Sequence, residues 1–376
     1  MSEWKKTYLR DLIVIKNGKD HKKLKNGQYP VYGSGGIMRY ADSYLYDQES
    51  VLLPRKGTLN NIQFVTEPFW TVDTCYYTVV NRDKVLPYFL YCCLCKMDIQ
   101  SLNTGSAVPS MTFEKYYSIE VPIPPLSTQH RVATILSRYD SLIENYQKQI
   151  KLLEEAAQRL YKEWFIDLHF PGHENTNILD GVPEGWEKKK LCEFTGITDG
   201  THDSPKQVEI GLPLVTGRCI VDGSIDFSQA YNISEEDVIK INKRSAVEDG
   251  DILLSNIGTI GKVCRISKSG NYAVKNMIIF KPHDAIHSCF LHRFLTDNNT
   301  QMDFLQQAAG TSQKFVSLSF IRNTLILRPS DTILNLFYNH SEKYFNYVQT
   351  LQSQLRLLTE ARDRLLPKLM NGEIAV

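Results

Sequence analysis

The stretch VPIPPLSTQHRVATILSRYDSLIENYQKQIKLLEEAAQRLYKEWF, residues Val121–Phe165, decides the fold of this chain. After the turn signal VPIPPL, either Ser127 or Thr128 can cap the start of a helix. The apolar residues that follow alternate spacings of three and four, which is the seam of a coiled coil. The seam positions are Tyr139, Leu142, Tyr146, Ile150, Leu153, Ala157, Leu160 and Trp164. The pattern predicts one helix of about 40 residues, about 60 Å long.

A second stretch near the end of the sequence carries the same pattern. Asp331 can cap a helix whose apolar stripe is interrupted only by Arg362. The stripe consists of Val348, Leu351, Leu355, Leu358, Leu365 and Leu369. Because neither helix can bury its stripe within a small domain of its own, the matched seams predict that the two helices pack antiparallel. The alternative is that each helix packs separately against its own sheet.

The sequence before the first helix matches the sequence after it at an ordered series of positions, which indicates a tandem repeat. The matching pairs are Trp4 with Trp186, Asn17-Gly18 with Asp199-Gly200, Val51-Leu52-Leu53 with Ile252-Leu253-Leu254, Gly57 with Gly258, and Phe89-Leu90 with Phe290-Leu291. The separation between partners grows along the chain. This growth places the main insertion of the second copy between Gly200 and Gly258.

Each copy begins with short β-like segments separated by Gly, Asn, Asp and Pro. The segments are QYPVYG, SVLLPRKG and CYYTVV in the first copy, and DILLS, GKVCRIS and AVKNMIIFKP in the second. They predict an α+β fold, with two small mixed α/β domains in a tandem pseudo-twofold repeat, separated by two long antiparallel coiled-coil helices. The predicted boundaries are 1–126 for the first domain, 127–168 for its helix, 169–185 for a linker, 186–330 for the second domain and 331–376 for the last helix.

The charge of the chain is nearly balanced but unevenly distributed. With 43 Lys and Arg against 42 Asp and Glu, the chain is not a histone-like protein that coats nucleic acid by its overall charge. Residues 1–39 hold nine bases and three acids, and residues 252–283 hold five bases and no acid, whereas residues 222–251 hold eight acids and three bases. Local basic surface interleaved with amide and hydroxyl side chains suits phosphate positioning and base-edge reading. The alternative is a solvated surface of mixed charge.

No complete catalytic signature is present in the sequence. Gly258–Val263 lacks the upstream glycine and the hydroxyl residue of a phosphate loop, and Pro124–Leu126 lacks the polar and aromatic residues of an amino-methyltransferase motif. Asp180 with Glu187-Lys188-Lys189 is similar to the metal-binding pattern of nucleases, but it falls in and beside the predicted linker, and such combinations arise by chance. We therefore expect no active site and no metal site, and eight reduced cysteines.

The chain resembles the specificity (S) subunits of type I restriction-modification systems, the HsdS family. The resemblance covers essentially the whole chain. Val121–Phe165 is similar to the central conserved region of the family, and LLTEARDRLLPKLMNGEI, Leu357–Ile374, is similar to its carboxyl-terminal signature. Trp186–Leu191, Gly33–Ile37 and Pro54–Thr58 add weaker matches in the more variable recognition domains.

This resemblance implies two target recognition domains and a non-catalytic subunit that reads a bipartite, asymmetric target in double-stranded DNA. Two adenine methyltransferase (M) subunits would dock on the helices, and ATP-driven restriction (R) subunits would complete the nuclease. No cofactor would be bound by this chain, because S-adenosylmethionine, ATP and Mg²⁺ would belong to the partner subunits. We expect a cytoplasmic protein without a membrane partner, since no secretory signal or spanning apolar run is present. The alternative is a stand-alone DNA-binding protein or a structural coiled-coil scaffold.

DNA contacts are expected from loops of both domains that combine basic and amide side chains. The first-domain candidates are Lys16, Lys19, Arg39, Arg55, Lys56, Asn60, Asn61 and Ser106. The second-domain candidates are His202, Asn256, Lys262, Lys275, Asn276, Thr311, Gln313 and Lys314. The candidates for the helix seam and subunit docking are Tyr146, Ile150, Leu153, Leu160, Trp164, Leu351, Leu355, Leu358, Leu365 and Leu369. For each DNA candidate the alternative is an ordinary turn or surface residue.

Overall fold

The structure is a computed structural model that describes residues 4–105, 108–308, 314–374 and 376. The chain forms two compact units. Unit 1 consists of Met1–Tyr146 with Gln354–Val376, and unit 2 consists of Gln147–Ser353. Each unit therefore contains a segment of both long helices.

Unit 1 combines small sheets with short helices and a segment of each long helix. Its strands are β1 (Lys5–Tyr8), β2 (Ile13–Asn17), β3 (Tyr29–Gly33), β4 (Gly36–Ala41), β5 (Ser50–Pro54), β6 (Gln63–Val65), β7 (Trp70–Thr71), β8 (Cys75–Val80) and β9 (Glu120–Ile123). Its α-helices are α1 (Pro87–Cys95), α2 (Phe113–Tyr117), the first part of α3 (Leu126–Tyr161) and the end of the last long helix. The sheets have the strand orders β2-β8-β5-β6, β4-β3-β7 and β1-β9.

Unit 2 begins within α3 and ends within the last helix. Its strands are β10 (Ile178–Leu179), β11 (Val182–Pro183), β12 (Glu187–Lys190), β13 (Gly196–Asp199), β14 (Leu212–Val215), β15 (Ile220–Val221), β16 (Ser224–Ile225), β17 (Tyr231–Ile233), β18 (Ile252–Ser255), β19 (Val263–Arg265), β20 (Ala273–Val274), β21 (Met277–Lys281) and β22 (Leu325–Arg328). Its helices are α4 (Leu191–Phe194), α5 (Glu235–Ser245), α6 (Ala285–Thr296), α7 (Asn298–Gln306), α8 (Leu318–Asn323) and the first part of α9 (Asp331–Met370).

The sheets of unit 1 recur in unit 2 with the same connectivity. The order β2-β8-β5-β6 is matched by β13-β21-β18-β19, and β4-β3-β7 is matched by β17-β14-β20. In both three-stranded sheets one neighbour of the central strand is antiparallel and the other is parallel. The ribbon β1-β9 is matched by β12-β22. The tandem repeat predicted from the sequence is thus confirmed in the topology.

The repeated sequence pairs form the same parts of the two cores. Val51-Leu52-Leu53 in β5 and Ile252-Leu253-Leu254 in β18 are completely or almost completely buried. A strand covered on both faces has no solvent side, which explains why these runs are continuously apolar rather than alternating. Phe89-Leu90 of α1 and Phe290-Leu291 of α6 are buried beside them.

The insertion in unit 2 forms the β15-β16 hairpin and helix α5, as its position between Gly200 and Gly258 predicted. The Ser234 hydroxyl caps α5 by accepting from the Asp237 amide. Three acids occupy the first turn of the helix and two bases the last, which matches the helix dipole at both ends. The acidic character of residues 222–251 therefore serves partly to cap one helix.

The two long helices carry the predicted stripes. Helix α3 begins at Leu126, one residue before the predicted cap, and continues as a π-helical turn at Lys162–Ile166. The predicted seam positions Tyr146, Ile150, Leu153, Leu160, Trp164, Leu351, Leu355, Leu358, Leu365 and Leu369 are all buried or half-buried. The prediction was wrong at Leu142, which is 37% exposed, because its neighbour Ile143 turns inward instead at 8%.

Both helices contribute to a shared core within each unit. In unit 2 the Trp164 ring lies 5.8 Å from Phe337, while Glu154 and Gln158 face the same cavity as Gln352. Earlier residues of α3 therefore meet later residues of α9, which is antiparallel packing. In unit 1 the same core contains residues of both helices. These are Val132 and Leu136 from α3, and Leu369 and Met370 from α9.

A charged group interrupts the stripe of α9 in unit 1 and is neutralised there. Arg362 Nη1 lies 3.0 Å from Asp140 Oδ1, and the Tyr88 hydroxyl donates to the other oxygen of Asp140 at 2.5 Å. Helices α1, α3 and α9 are joined by this one carboxylate. The arginine that broke the sequence pattern therefore fixes three helices together.

A buried ion pair has a comparable position in unit 2. Arg265, at the end of β19, makes two hydrogen bonds to the Glu342 carboxylate, at 2.6 and 3.1 Å, and a third to the Ser288 hydroxyl at 2.9 Å. Its guanidinium lies 4.4 Å from the centre of the Phe345 ring. The side chain of Arg265 is only 5% exposed, so the charge depends on Glu342 for compensation.

Replacing Glu342 with alanine should leave Arg265 buried without its counter-ion. We expect the free energy of unfolding to fall by about 3–5 kcal/mol, measured by urea denaturation followed by circular dichroism. Glu360→Ala is the matched control, because Glu360 forms an exposed pair with Arg364 on the same helix, and its loss should be below about 0.5 kcal/mol. Equal losses in the two variants would contradict this role of Arg265.

Candidate nucleic-acid interface

An exposed group of lysines lies at the end of β2 and in the loop that follows it in unit 1. Lys16, Lys19, Lys22, Lys23 and Lys25 all lie at the surface. No ion pair joins them to an acid within the part of the chain that the structure describes. We call these five residues the lysine group. The nearby carboxylates of Asp20 and Asp42 accept from the backbone amides of Lys22 and Lys25 instead, at 3.0 and 3.2 Å.

The lysine group is held in place by its backbone. The Lys19 amide donates to the carbonyl oxygen of Thr71 at 2.8 Å, and the Trp70 indole donates to the Lys19 carbonyl at 2.9 Å. Gly18 lies against the carbonyl oxygen of Val72, where any Cβ would collide. The close approach explains the repeated glycine at this position.

Arg39, a predicted DNA contact, supports this loop from within. Its Nη2 donates to the carbonyl oxygen of Leu24 at 3.0 Å and to the Asn26 side chain at 3.1 Å. The residue is half-buried. Arg39 therefore stabilises the loop that carries the lysine group through hydrogen bonds within the chain.

Two other residues that were predicted to contact DNA, Asn60 and Asn61, form hydrogen bonds within unit 1. Asn60 accepts from the Gln100 amide at 2.7 Å and donates to Asp98 at 3.2 Å. Asn61 donates to the carbonyl oxygen of Ser34 at 2.8 Å, which ties the tip of the β3-β4 hairpin to the loop after β5. Both amides hold loops together.

Arg55 and Lys56 lie at the end of β5. The Arg55 guanidinium lies 5.9 Å from the centre of the Tyr76 ring and 3.4 Å from the carbonyl oxygen of Asp73. Burial raises the pKa of the Tyr76 hydroxyl, although Arg55 acts in the opposite direction, so the ring stays neutral. Lys56 is exposed beside this pair.

The loop after β5 and its counterpart after β18 form the same backbone junction in both units. Gly57 N donates to Pro109 O, and Gly258 N donates to Lys314 O, each at 2.9 Å. Met111 N donates to Arg55 O, and Val316 N donates to Asn256 O, again at 2.9 Å. We call Arg55–Gly57 with Pro109–Met111, and Asn256–Gly258 with Lys314–Val316, the paired junctions.

The paired junctions share a backbone but differ in side chains. Arg55 is replaced by Asn256, Lys56 by Ile257, Pro109 by Lys314 and Ser110 by Phe315. Asn256 is buried and donates to the Val316 carbonyl at 3.0 Å, whereas Lys314 is exposed. The same backbone arrangement therefore presents different side chains in unit 1 and unit 2.

The basic run of residues 252–283 differs from the expected open patch. Arg265 is buried with Glu342, and Lys281 pairs with Asp251 at 2.7 Å and with Glu248 at 3.1 Å. The amine of Lys262, a predicted DNA contact, donates to the Ile220 carbonyl at 2.8 Å. Glu342 is distant in sequence, and Asp251 and Glu248 belong to the adjacent acidic segment 222–251, so counting each segment by itself could not reveal these pairs.

His202, Lys275 and Asn276 are brought together at the end of β13. The Nδ1 atom of His202 lies 3.0 Å from the Asn276 side-chain oxygen, and the Lys275 amine lies 2.6 Å from the Ser204 hydroxyl. Asp199 and Arg244 join the same group, although the sequence analysis did not select them. The spacing of Asp199 and His202 was an available signal for the first, whereas Arg244 was hidden in the acidic insertion. The candidates Ser106, Thr311 and Gln313 lie outside the described residues.

Alanine at Gly57 or Gly258 should weaken the paired junctions. Both glycines have positive φ, +92° and +75°, which an L side chain adopts at a cost. We expect each substitution to lower the free energy of unfolding by about 1–2 kcal/mol, measured by urea denaturation. Gly35 is the control, since a Cβ there meets nothing within 4 Å and Gly35→Ala should change stability by less than about 0.5 kcal/mol. A loss at Gly35 as large as at Gly57 would contradict the account.

The residues that the structure describes contain neither a membrane-spanning helix nor a metal cluster. No helix among them is both long and apolar enough to cross a membrane. No three histidine, cysteine, aspartate or glutamate side chains among them gather closely enough to hold a metal ion. Of the nuclease-like pattern, Asp180 lies in the turn of the β10-β11 hairpin, and Glu187 pairs with Lys189 at 2.7 Å.

Comparison with known proteins gives a consistent result. Residues 1–155 match the family model described as the type I restriction modification DNA specificity domain. The chain is 27% identical to the type I restriction enzyme MjaIX specificity subunit of Methanocaldococcus jannaschii, over 88% of this chain and 79% of that one. It is 24% identical to the EcoBI specificity subunit of Escherichia coli, over 93% and 78%.

A solved structure shows the same fold. The type I restriction-modification S subunit from M. genitalium superposes with a TM-score of 0.67 at 16% identity, covering 98% of this chain and 96% of that one. The repeated sheets and the two long helices agree with this likeness of fold. Residues 1–155 thus match a type I restriction modification DNA specificity domain, and over most of its length the chain is similar to type I restriction enzyme specificity subunits.

Proposed function

We propose that this chain is the non-catalytic DNA-sequence specificity subunit of a type I restriction-modification enzyme. It recognises a bipartite, asymmetric target in double-stranded DNA and directs adenine methylation and restriction by partner subunits. The observation that carries the proposal is the pair of recognition frames with identical connectivity and different exposed side chains. Two similar frames read two half-sites, and different side chains read different sequences.

The lysine group supplies sequence-independent affinity for the phosphate backbone. Five exposed lysines without acidic partners among the described residues attract phosphates and release condensed counterions when they bind. Selectivity belongs to the paired junctions and to the group around His202 and Asn276. There Lys56, Lys314 and the Ser204 hydroxyl are exposed and the Asn276 amide is half-buried, and such groups can bond to base edges.

The outer faces of the long helices are the surfaces for partner subunits. Leu152 of α3 is 63% exposed and Leu357 of α9 is 57% exposed, although each lies on a helix whose other face is buried. Exposed apolar residues on such helices favour protein association. We assign two methyltransferase (M) subunits to these faces, with restriction (R) subunits joining the assembly.

The chemistry is assigned to those partners. S-adenosylmethionine would bind to the methyltransferase subunits, and ATP and Mg²⁺ to the partner subunits that drive restriction. This chain would then contribute recognition and geometry without a cofactor of its own. Within that division of roles, its net charge near zero is suitable, because the partners share the contact with DNA.

Removing lysines from the lysine group should reduce the salt dependence of DNA binding. For the variant with Lys16, Lys19 and Lys23 changed to alanine, the slope of log K against log salt should become shallower by about 0.9 for each lost phosphate contact. Sequence preference should remain. Lys151→Ala is the control, since Lys151 is exposed but paired with Glu155. A slope unchanged in the triple variant would contradict the assignment.

Reconstitution tests the function as a whole. Adenine methylation of target DNA should require both this chain and the methyltransferase encoded beside it, with S-adenosylmethionine supplied. The chain alone should bind duplex DNA in a salt-dependent manner and neither methylate nor cut it. Methylation or Mg²⁺-dependent cleavage by the chain alone would favour a stand-alone enzyme. Absence of both DNA binding and methyltransferase copurification would favour a structural scaffold.

A further inference from the structure

A chain of four polar side chains runs through unit 2 from the inserted helix α5 to the turn before β21. Arg244 Nη1 lies 3.3 Å from Asp199 Oδ1. Asp199 Oδ2 lies 2.7 Å from His202 Nε2, and His202 Nδ1 lies 3.0 Å from Asn276 Oδ1. We call this arrangement the Arg244–Asn276 chain. Each member fixes the orientation of the next.

The α5 end of the Arg244–Asn276 chain is firmly anchored. Arg244 Nη2 also donates to the carbonyl oxygen of Gly200 at 3.1 Å. Helix α5 is held by Val238, which is buried in a cluster with Leu214 and Ile233. The Asp199 side chain is 21% exposed, while that of His202 is 60% exposed. These contacts therefore connect the packed helix α5 to the imidazole of His202, which faces solvent.

The other end of the chain, Asn276, has an unusual backbone. Its φ is +53°, in the left-handed region that asparagine tolerates better than most residues. Its amide donates to the Thr201 carbonyl at 3.1 Å. Residues kept in this region at a binding surface often have a functional reason. Here the backbone conformation and the His202 contact together fix one side-chain amide.

Unit 1 has the same backbone at this place but a different set of side chains. Thr201 N donates to Val274 O at 2.9 Å, and Lys19 N donates to Thr71 O at 2.8 Å, so Lys19 is the equivalent of Thr201. Asn17 then stands at the position of Asp199, and Asp20 at that of His202. Because the shared frame forms without it, the Arg244–Asn276 chain is not required by the fold.

We propose that Asn276 reads one base pair of the second half-site, and that Asp199 and His202 are positioning residues that set the direction of its amide. This inference rests on the proposed function and names a specificity-determining residue within it. His202 does not itself contact a base, since both of its ring nitrogens are already occupied. Arg244 and α5, which belong to the insertion, make this reader specific to unit 2.

The hydrogen-bonding of His202 determines which atoms Asn276 presents. Both ring nitrogens face oxygen atoms, and only the protonated imidazole can donate from both. If a protonated His202 donates to its oxygen, the Asn276 amide keeps its two N–H donors for another partner. Donors in the major groove pair with the O6 and N7 atoms of guanine or the O4 atom of thymine.

Loss of the imidazole proton reverses that presentation. A neutral ring that donates from Nε2 to Asp199 has an acceptor at Nδ1, so Asn276 must turn its nitrogen inward and its oxygen outward. An outward oxygen accepts from the amino group of adenine or cytosine. The charged groups around the ring are Asp199 and Arg244, with Asp203 and Lys275 adjacent in sequence to His202 and Asn276. The hydrogen-bonding of His202 thus decides whether Asn276 offers donors or an acceptor to a base.

The experiment uses this chain copurified with its methyltransferase subunit. The target is first identified by sequencing methylated adenines, and affinities are then measured for duplexes that carry each base pair at each position. Asn276→Ala should reduce discrimination about tenfold to a hundredfold at one base pair of the second half-site. His202→Phe should reduce it at the same base pair, because the direction of the Asn276 amide is then no longer fixed. Asp20→Asn, at the equivalent position in unit 1, should leave the second half-site unchanged.

Discrimination in the first half-site serves as the internal control for folding, because both variants should retain it. Unchanged discrimination in Asn276→Ala, or an equal loss in both half-sites, would overturn the inference. A loss at different base pairs in Asn276→Ala and His202→Phe would also overturn it. If the unaltered complex shows no bipartite target, the proposed function fails instead.

Discussion

Burial of two long apolar stripes is the constraint on which this structure depends. Each long helix is longer than any one small sheet can cover, so each unit is closed by segments of both helices. Unit 1 therefore combines residues from the two ends of the sequence, with Leu369 and Met370 in the same core as Val132 and Leu136. Each long helix also takes part in an ion pair: Asp140 of α3 compensates Arg362 of α9, and Glu342 of α9 compensates Arg265 of β19. The hydrophobic requirement sets the architecture, and the ion pairs fix it.

The repeated frame separates stability from specificity. Continuous apolar strands, α1 and α6, and the paired junctions are nearly the same in both units, since they answer to packing and to backbone hydrogen bonding. Exposed positions on that frame are free to differ, as Lys56 and Ile257 do. The insertion in unit 2 extends this freedom by adding a helix that positions side chains of its own. A chain built in this way can change its recognised sequence without changing its fold.

The sequence predicted the helices and the strands better than the individual binding residues. Periodicity reports burial directly, so the α3 and α9 stripes and the strand segments could be identified, with Leu142 misplaced where the stripe changes face. Amide and basic residues carry no such signal. Asn61 and Arg39 bond to backbone from segments about 15–27 residues away, and His202 meets Asn276 across 74 residues. Local composition cannot distinguish a side chain that stabilises a loop from one that is exposed for binding, because the difference lies in its tertiary neighbours.

The central claim is that one chain reads two different half-sites for partners that perform the chemistry. Its most direct test is sequencing of methylated adenines in cells that lack other adenine methyltransferases and express this chain with its neighbouring methyltransferase. The account predicts methylation within a target of two unlike half-sites separated by a stretch of unspecified sequence. Methylation confined to one uninterrupted site, or the same methylation in cells without this chain, would contradict it.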